Sequence, residues 1–141
     1  MKKNAKKGFT LVELLVVIAI LAILATVSVV GYSAFIDSAN KSNAETEAHQ
    51  VEGIINASLM AGEAYEIATG YTIEKNADGA IVLMNGETVI TSAVFAKTAG
   101  EGVTAVLNAD LAGLPGTIEY ANGVFTYKTA DYATGVALAL R

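Results

Sequence analysis

The chain has 141 residues, no cysteine, 53% hydrophobic residues and a formal net charge of −5. This length accommodates one membrane segment and one modest domain, and it is too short for two independent cores. The absence of cysteine excludes disulfides, thiol nucleophiles and cysteine-based metal sites, and the acidic balance argues against nucleic-acid binding through a basic face.

The N-terminus combines a basic start with a long apolar run. Lysine occupies four of the first eight positions, and residues 14–36 contain no charged side chain. As a helix, these 23 residues span about 34 Å, which is enough for a hydrocarbon core of about 30 Å. Because the next positive charge is Lys41, the positive-inside rule places the N-terminus in the cytoplasm and the remainder outside.

Two simpler interpretations of this segment remain open. A secretory signal has an apolar region of about 7–15 residues before a small-residue cleavage site. Residues 26–28 offer such a site, although the apolar run extends beyond that length. A plain membrane anchor accounts for the span but not for the placement of Gly8, Phe9 and Glu13.

The residues around Gly8 form a recognisable motif. Gly8, the apolar Phe9 and the sequence Thr-Leu-Val-Glu-Leu-Leu of residues 10–15 resemble the class III leader of type IV prepilins and pseudopilins. The resemblance implies that prepilin peptidase, a membrane-embedded aspartyl protease, cuts between Gly8 and Phe9, and that Phe9 is then N-methylated. A glycine also allows a protease to approach the backbone closely. The alternative is that Gly8 merely ends a basic tail.

Glu13 is the only charged residue between Phe9 and Ile36, and a charge in such a segment requires a partner. The resemblance implies that Glu13 neutralises the new amino terminus of a neighbouring subunit, which makes it an assembly residue and not a catalytic one. Pairing with the Phe9 amine of its own chain is an alternative, since residues four apart on a helix are neighbours. A third alternative is a carboxylate that snorkels to the interface or is protonated.

Beyond Asp37 the pattern indicates an amphipathic helix. One face is predicted to lie on a core, and its residues recur at spacings of three and four: Ala44, Ala48, Val51, Ile55, Leu59 and Gly62. We predict a single helix from about Thr10 to Ala68, with Gly70 as its C-terminal stop. His49 is predicted to be a surface residue and not a metal ligand.

Residues 26–31 are the weakest part of this predicted helix. They combine β-branched residues with Ser28 and Gly31, all of which have a lower helix propensity than alanine. We expect a continuous helix in the isolated subunit and local unwinding after assembly.

From Tyr71 onward the sequence predicts short antiparallel strands. A type I′ hairpin turn is predicted at Asn85-Gly86 and a second hairpin at residues 121–123. The predicted runs are residues 71–74, 80–84, 87–91, 117–120 and 124–127, with a closing strand within residues 134–140. Residues 92–114 are ambiguous, with a short helix predicted around residues 103–107. A helix followed by antiparallel strands predicts an α+β fold, which is also the layout that the resemblance implies.

The sequence contains no constellation typical of an enzyme. It lacks a phosphate-binding loop, a zinc motif and a nucleophile elbow, and residues 98–102 are interpreted as an ordinary turn. Asp78, Asp110 and Asp131 do not have the spacing of a calcium loop. We therefore predict no catalytic, cofactor-binding or metal-binding residues.

These observations predict a non-enzymatic structural subunit in three parts. They are a leader at residues 1–8, a hydrophobic assembly helix at residues 9–36 and a globular pilin head at residues 37–141. The resemblance implies a single-pass membrane precursor that later polymerises with itself into a cell-surface filament. Its implied partners are prepilin peptidase, an assembly platform and minor pilins. A pilin without cysteine suggests a Gram-positive source.

Two other functions remain open. One is a pseudopilin of a secretion or competence machine, and the other is a membrane-tethered binding domain that does not polymerise. The resemblance specifies no nucleic-acid partner. Fibre roles such as adhesion, motility, DNA uptake or secretion belong to the assembled filament.

Overall fold

The computed structural model describes residues 7–141, so most of the predicted leader lies outside the described residues. One helix precedes nine strands in this part of the chain, which confirms the α+β prediction. The elements are α1 (Leu11–Met60), β1 (Tyr65–Ala68), β2 (Tyr71–Lys75), β3 (Ile81–Asn85), β4 (Thr88–Ile90), β5 (Ser92–Ala96), β6 (Ala105–Val106), β7 (Thr117–Ala121), β8 (Val124–Lys128) and β9 (Val136–Ala137). Contacts divide the chain into two compact units, here called the stem, which ends at Ser38, and the head, Ala39–Arg141.

The stem contains the first part of α1 and buries none of it. The most apolar 18-residue window of the helix has a mean hydropathy of 3.0 and is 0% buried, so α1 is long and apolar enough to cross a membrane. The helix is unbroken through residues 26–31, as predicted for the isolated subunit. The hydroxyls of Thr26, Ser28 and Ser33 donate to carbonyls three or four residues earlier, so their polar groups are satisfied within the helix.

Within the head, α1 presents the predicted face to the core. Five small or apolar side chains at helical spacing are buried there, namely Ala44, Ala48, Val51, Ile55 and Leu59. Most side chains on the remaining faces are polar or charged, among them His49, which is exposed as predicted. This pattern packs one apolar stripe of the helix on the sheets, with polar side chains on either side of it.

The C-terminal end of α1 differs from the prediction. The helix ends at Met60, because Gly62 adopts a left-handed conformation with a φ of 77°. The Gly62 N–H donates to the Leu59 carbonyl at 3.2 Å, and the Glu63 N–H donates to the Ser58 carbonyl at 3.0 Å. These two hydrogen bonds form a Schellman cap. Gly62 is thus the helix stop and not part of the packed face.

The prediction of Gly70 as the helix stop was wrong for the same reason. Since the helix has already ended, residues before Gly70 are free to form β1, which sequence analysis missed. Gly70 lies in the short turn between β1 and β2, next to Tyr71, which pairs with Ala68.

The strands form two sheets. The first is four-stranded and antiparallel, with the order β1-β2-β3-β4, and the second is five-stranded, with the order β6-β5-β7-β8-β9. All pairs in the second sheet are antiparallel except β5 with β6, so the head contains one mixed sheet in place of the purely antiparallel arrangement predicted. The predicted closing strand is present as the short β9.

The parallel strand β6 replaces the helix predicted around residues 103–107. The Thr104 N–H donates to the Val94 carbonyl at 2.7 Å, and the Leu107 N–H donates to the Ala96 carbonyl at 2.9 Å. Both backbone donors are used by β5 and cannot form helical hydrogen bonds. Tertiary pairing therefore overrides the weak local preference.

Both predicted hairpins are present, but their turns differ. Asn85 ends β3, and the turn consists of Gly86 and Glu87 with a positive φ of 61° at Gly86. A positive φ at the first central residue alone fits a type II′ turn and not the predicted type I′ turn. In the second hairpin, Asn122 and Gly123 both have positive φ, at 52° and 82°, as in a type I′ turn.

Asn108 joins the two sheets, and sequence analysis gave no sign of it. Its N–H donates to the Ile67 carbonyl at 2.9 Å, and its side-chain amide donates to the Glu66 carbonyl and to the Tyr65 hydroxyl. The neighbouring Leu107 forms an isolated bridge with Ala68 on β1. These contacts bring β1 and the segment after β6 together.

A buried hydroxyl ties the helix to the second sheet. Tyr127 on β8 is fully buried, donates to Glu47 Oε2 on α1 at 2.8 Å and accepts from the Gly116 N–H at 2.9 Å. Burial raises the pKa of Tyr127, and the nearby Glu47 carboxylate raises it further. The hydroxyl therefore stays protonated and can act as the donor to Glu47.

Candidate functional site

The residues singled out near the N-terminus lie at the start of α1. Gly8 and Phe9 precede the helix and belong to no regular element. Phe9 is 85% exposed, and a Cβ placed on Gly8 would meet no atom within 4 Å. The peptide bond between them is therefore open to another molecule, as a protease substrate must be.

Glu13 lies in the first turn of the helix, where it forms a capping box with Thr10. Its Oε2 accepts from the Thr10 N–H at 2.8 Å and from the Thr10 hydroxyl at 2.9 Å. In return, the Thr10 hydroxyl oxygen accepts from the Glu13 N–H at 3.2 Å. This reciprocal pairing satisfies backbone donors that the first turn of a helix leaves free.

Thr10 is the site residue that sequence analysis missed. The signal was present, since a threonine followed three residues later by a glutamate and an apolar run is the capping-box pattern. In the unprocessed chain, the hydrogen bonds to the Glu13 carboxylate come from Thr10. Phe9 precedes the helix, so the helical spacing of four residues does not apply to Phe9 and Glu13 here.

The capping box also defines how Glu13 is presented. Both hydrogen bonds from Thr10 end on the same carboxylate oxygen, Oε2. The negative charge lies at the N-terminal end of the helix, where the helix dipole favours an anion. Glu13 is thus held in one place by its own chain before any second subunit is present.

The titratable side chains of the head were also considered as candidate ligands for a metal ion. Among residues 7–141, no three His, Asp or Glu side chains lie close enough together to hold a metal ion. His49 Nδ1 lies 2.8 Å from Glu52 Oε2, on the same face of α1.

A comparison with known families matches the same N-terminal region. Residues 3–29 match the family model described as the prokaryotic N-terminal methylation motif. The match contains Gly8, Phe9, Thr10 and Glu13, and it extends through the first part of the apolar helix. No solved structure matches the chain.

Proposed function

From the match of residues 3–29 to the prokaryotic N-terminal methylation motif, we propose that the chain is a type IV prepilin-like protein and the structural subunit of a type IV pilus. In this proposal, the precursor is held in the membrane by the stem, processed, and then packed by the same helix into a cell-surface filament. The subunit is not an enzyme, and its function is assembly.

The main support for the proposal is that the motif lies at the start of a helix whose apolar side chains are exposed. All large hydrophobic side chains of α1 from Leu11 to Phe35 are at least 46% exposed. A helix that is apolar on all sides is stable only in lipid or among other apolar surfaces. Lipid before processing and neighbouring stems after it supply those two surroundings.

Processing is proposed to occur between Gly8 and Phe9, with methylation of the new Phe9 amine. The exposed, non-helical backbone around Gly8 supports this position. Cleavage here removes the leader but leaves the apolar helix on the mature subunit. An ordinary signal peptidase, in contrast, removes the apolar region.

Glu13 is proposed to meet the amine that processing creates on a neighbouring subunit. Cleavage removes four lysines, so the net charge of the chain changes from −5 to −9 before the new amine is counted. The carboxylate then lies in an apolar surrounding with a cation on the next stem as its partner. Such a pair fixes the axial register of one subunit against the next.

The proposed topology and partners follow from this sequence of events. The basic leader stays in the cytoplasm, the stem spans the membrane, and the head lies outside. Prepilin peptidase and an assembly platform act on the precursor, and minor pilins join the filament. No specific nucleic-acid partner is proposed for the acidic subunit. A pseudopilin of a secretion or competence machine is the second candidate, since the same motif occurs in both classes.

Two measurements test the proposal in order. Intact-mass analysis of native protein is expected to show loss of residues 1–8 and a methyl group on Phe9. Electron microscopy of sheared surface material is expected to show long filaments containing the chain. A native protein that begins at Met1 overturns both candidates, whereas processed protein in short structures favours the pseudopilin.

The role of Glu13 needs its own variant. Glu13→Ala is expected to be processed normally but to yield few filaments, because the new amine has lost its partner. Glu45→Ala is the matched control, since Glu45 lies on the same helix, is partly exposed and pairs with Lys41 at 3.7 Å. Normal filament yield from Glu13→Ala refutes the assembly role.

A further inference from the structure

Residues 138–141, here called the strap, lie along helix α1 and are held there by their backbone. The Ala139 N–H donates to Glu52 Oε1 at 2.7 Å, and the Asn56 side-chain amide donates to the Ala139 carbonyl at 3.0 Å. The Arg141 N–H donates to Asn56 Oδ1 at 2.7 Å. Glu52 and Asn56 are one helical turn apart, so together they bind the backbone of alternate strap residues.

The other side of the strap packs on the second sheet. Its first residue, Leu138, is only 8% exposed, and its N–H donates to the Phe125 carbonyl on β8 at 2.8 Å. Leu140 packs on the same core and is partly buried. The strap thus continues the course of β9 and covers the edge of the core between β8 and α1.

The charged side chains near Glu52 favour its ionised form, which binds the strap. Glu52 Oε1 binds the strap, while Oε2 faces His49 on the same helix, and the positive charge of Arg141 on the strap acts on the same carboxylate. Strand β9 carries no titratable side chain. The two on β8 are engaged elsewhere, since Tyr127 donates to Glu47 and Lys128 pairs with Glu119 at 2.5 Å.

We propose that the strap is a releasable closure of the head. The strap stays bound to α1 when Glu52 is ionised. When Glu52 loses its charge, the strap detaches and α1 and the two sheets remain folded. The reason for separate opening is that the strap is held mainly by three side-chain to backbone hydrogen bonds and two apolar side chains. A chain without cysteine has no covalent closure of this edge.

The direction of the pH dependence follows from the surroundings of Glu52. Burial raises its pKa, but hydrogen bonds from the Ala139 amide and His49, with the charges of His49 and Arg141, outweigh this and leave the pKa below its ordinary value. A carboxylate with a lowered folded-state pKa stabilises the fold fully above the unfolded value of about 4.3. Its contribution is lost as the pH falls through the folded value, so the strap opens in acid.

Hydrogen exchange of the full chain in detergent micelles, read by mass spectrometry, tests the proposal. The measured quantity is the protection of strap amides relative to β7 and β8 amides, corrected for the intrinsic rate at each pH. In the wild type, strap protection is expected to fall in acid before sheet protection does. Glu52→Ala is expected to lose about tenfold or more of the strap protection at pH 7, because a charge-assisted acceptor is missing.

Two further variants separate the effect of the Glu52 charge from a general loss of folding. Glu52→Gln keeps an acceptor oxygen without the charge, so its strap protection is expected to be weaker than in the wild type and independent of pH. Asn56→Ala removes the other two side-chain hydrogen bonds, so it is expected to loosen the strap at pH 7 and in acid while the acid response of Glu52 remains. Glu45→Gln is the control, and it is expected to leave the strap unchanged.

Three results overturn the proposal. The first is unchanged strap protection in Glu52→Ala. The second is an equal loss of protection in β7, β8 and the strap, which means that the strap does not open separately. The third is a wild-type acid response in Glu52→Gln, which assigns the response to another group.

Discussion

The stem and the head contain parts of the same helix in opposite surroundings. From Leu11 to Phe35 in the stem, all large hydrophobic side chains are exposed, with Val17 the least exposed at 46%. In the head, Ala44, Ala48, Val51 and Ile55 are 0% exposed. The head therefore supplies its own core, whereas the apolar side chains of the stem could be buried only by surroundings outside the chain, such as lipid.

Substitutions of glycines in the stem and in the head test this difference directly. In the stem, glycine is expected to matter for processing and assembly, with little effect on the isolated fold. In the head, glycine is expected to matter for folding. Four substitutions, taken from the largest expected effect to the smallest, test this difference.

Gly8→Val is expected to slow processing by about a hundredfold, because a branched side chain moves the scissile bond away from the catalytic groups of the peptidase. Intact-mass analysis of membrane fractions measures the processed share. The head is expected to unfold at the wild-type temperature. Rapid processing of Gly8→Val, as fast as that of a remote Gly53→Ala control, contradicts the proposed cleavage site.

Gly116→Ala is expected to destabilise the head by about 2 kcal/mol, or roughly 10 °C in the melting temperature. A Cβ at this position would lie 2.6 Å from the Tyr127 hydroxyl oxygen, so the tyrosine must move away from Glu47. Thermal unfolding of the full chain in detergent, followed by near-ultraviolet circular dichroism, measures the change.

Gly113→Ala is the matched control for this substitution. It lies in the same loop, and a Cβ there would meet no atom within 4 Å. Equal melting temperatures for the two variants contradict a close-packed contact at Gly116.

Gly62→Ala is expected to destabilise the head by about 1 kcal/mol, because alanine in a left-handed conformation is strained. Gly53→Ala is expected to have the opposite sign, since Gly53 lies inside α1 and alanine is the better helix former there. The same melting experiment compares the two. A stabilised Gly62→Ala variant shows that the helix continues past the cap.

Gly31→Ala has the smallest expected effect on the isolated chain, a gain of up to about 1 kcal/mol in helix stability. If residues 26–31 unwind in the filament, this gain opposes assembly, and filament yield is expected to fall by up to about fivefold. Gly53→Ala raises the helix propensity by the same amount in the head and is expected to leave the filament yield unchanged. A filament density map that is helical and continuous through Gly31 contradicts the unwinding.

Local sequence patterns predicted several elements of the fold correctly. The buried face from Ala44 to Leu59 was predicted because helical periodicity reports burial directly. The hairpin with its turn at residues 121–123 was predicted because turn residues there separate two strand-like runs. Both features depend on residues that are close together in the chain.

Elements that depend on distant residues were missed or assigned incorrectly. Strand β6 exists because β5 pairs with it, and β1 is joined to the second sheet by Asn108, about 40 residues further along the chain. The Thr10 contribution to the candidate site was a different kind of omission. Its capping signal is local and was present in the sequence.

The sequence by itself determined the N-terminal methylation motif, the membrane-length apolar segment and the order of one helix before a series of strands. These follow from side-chain chemistry and short-range periodicity. Only the tertiary structure decided the parallel pairing of β6, the Tyr127–Glu47 contact and the strap on Glu52 and Asn56. These features arise because buried backbone and side-chain polar groups must find partners, and the partners available are set by which distant segments the core brings together.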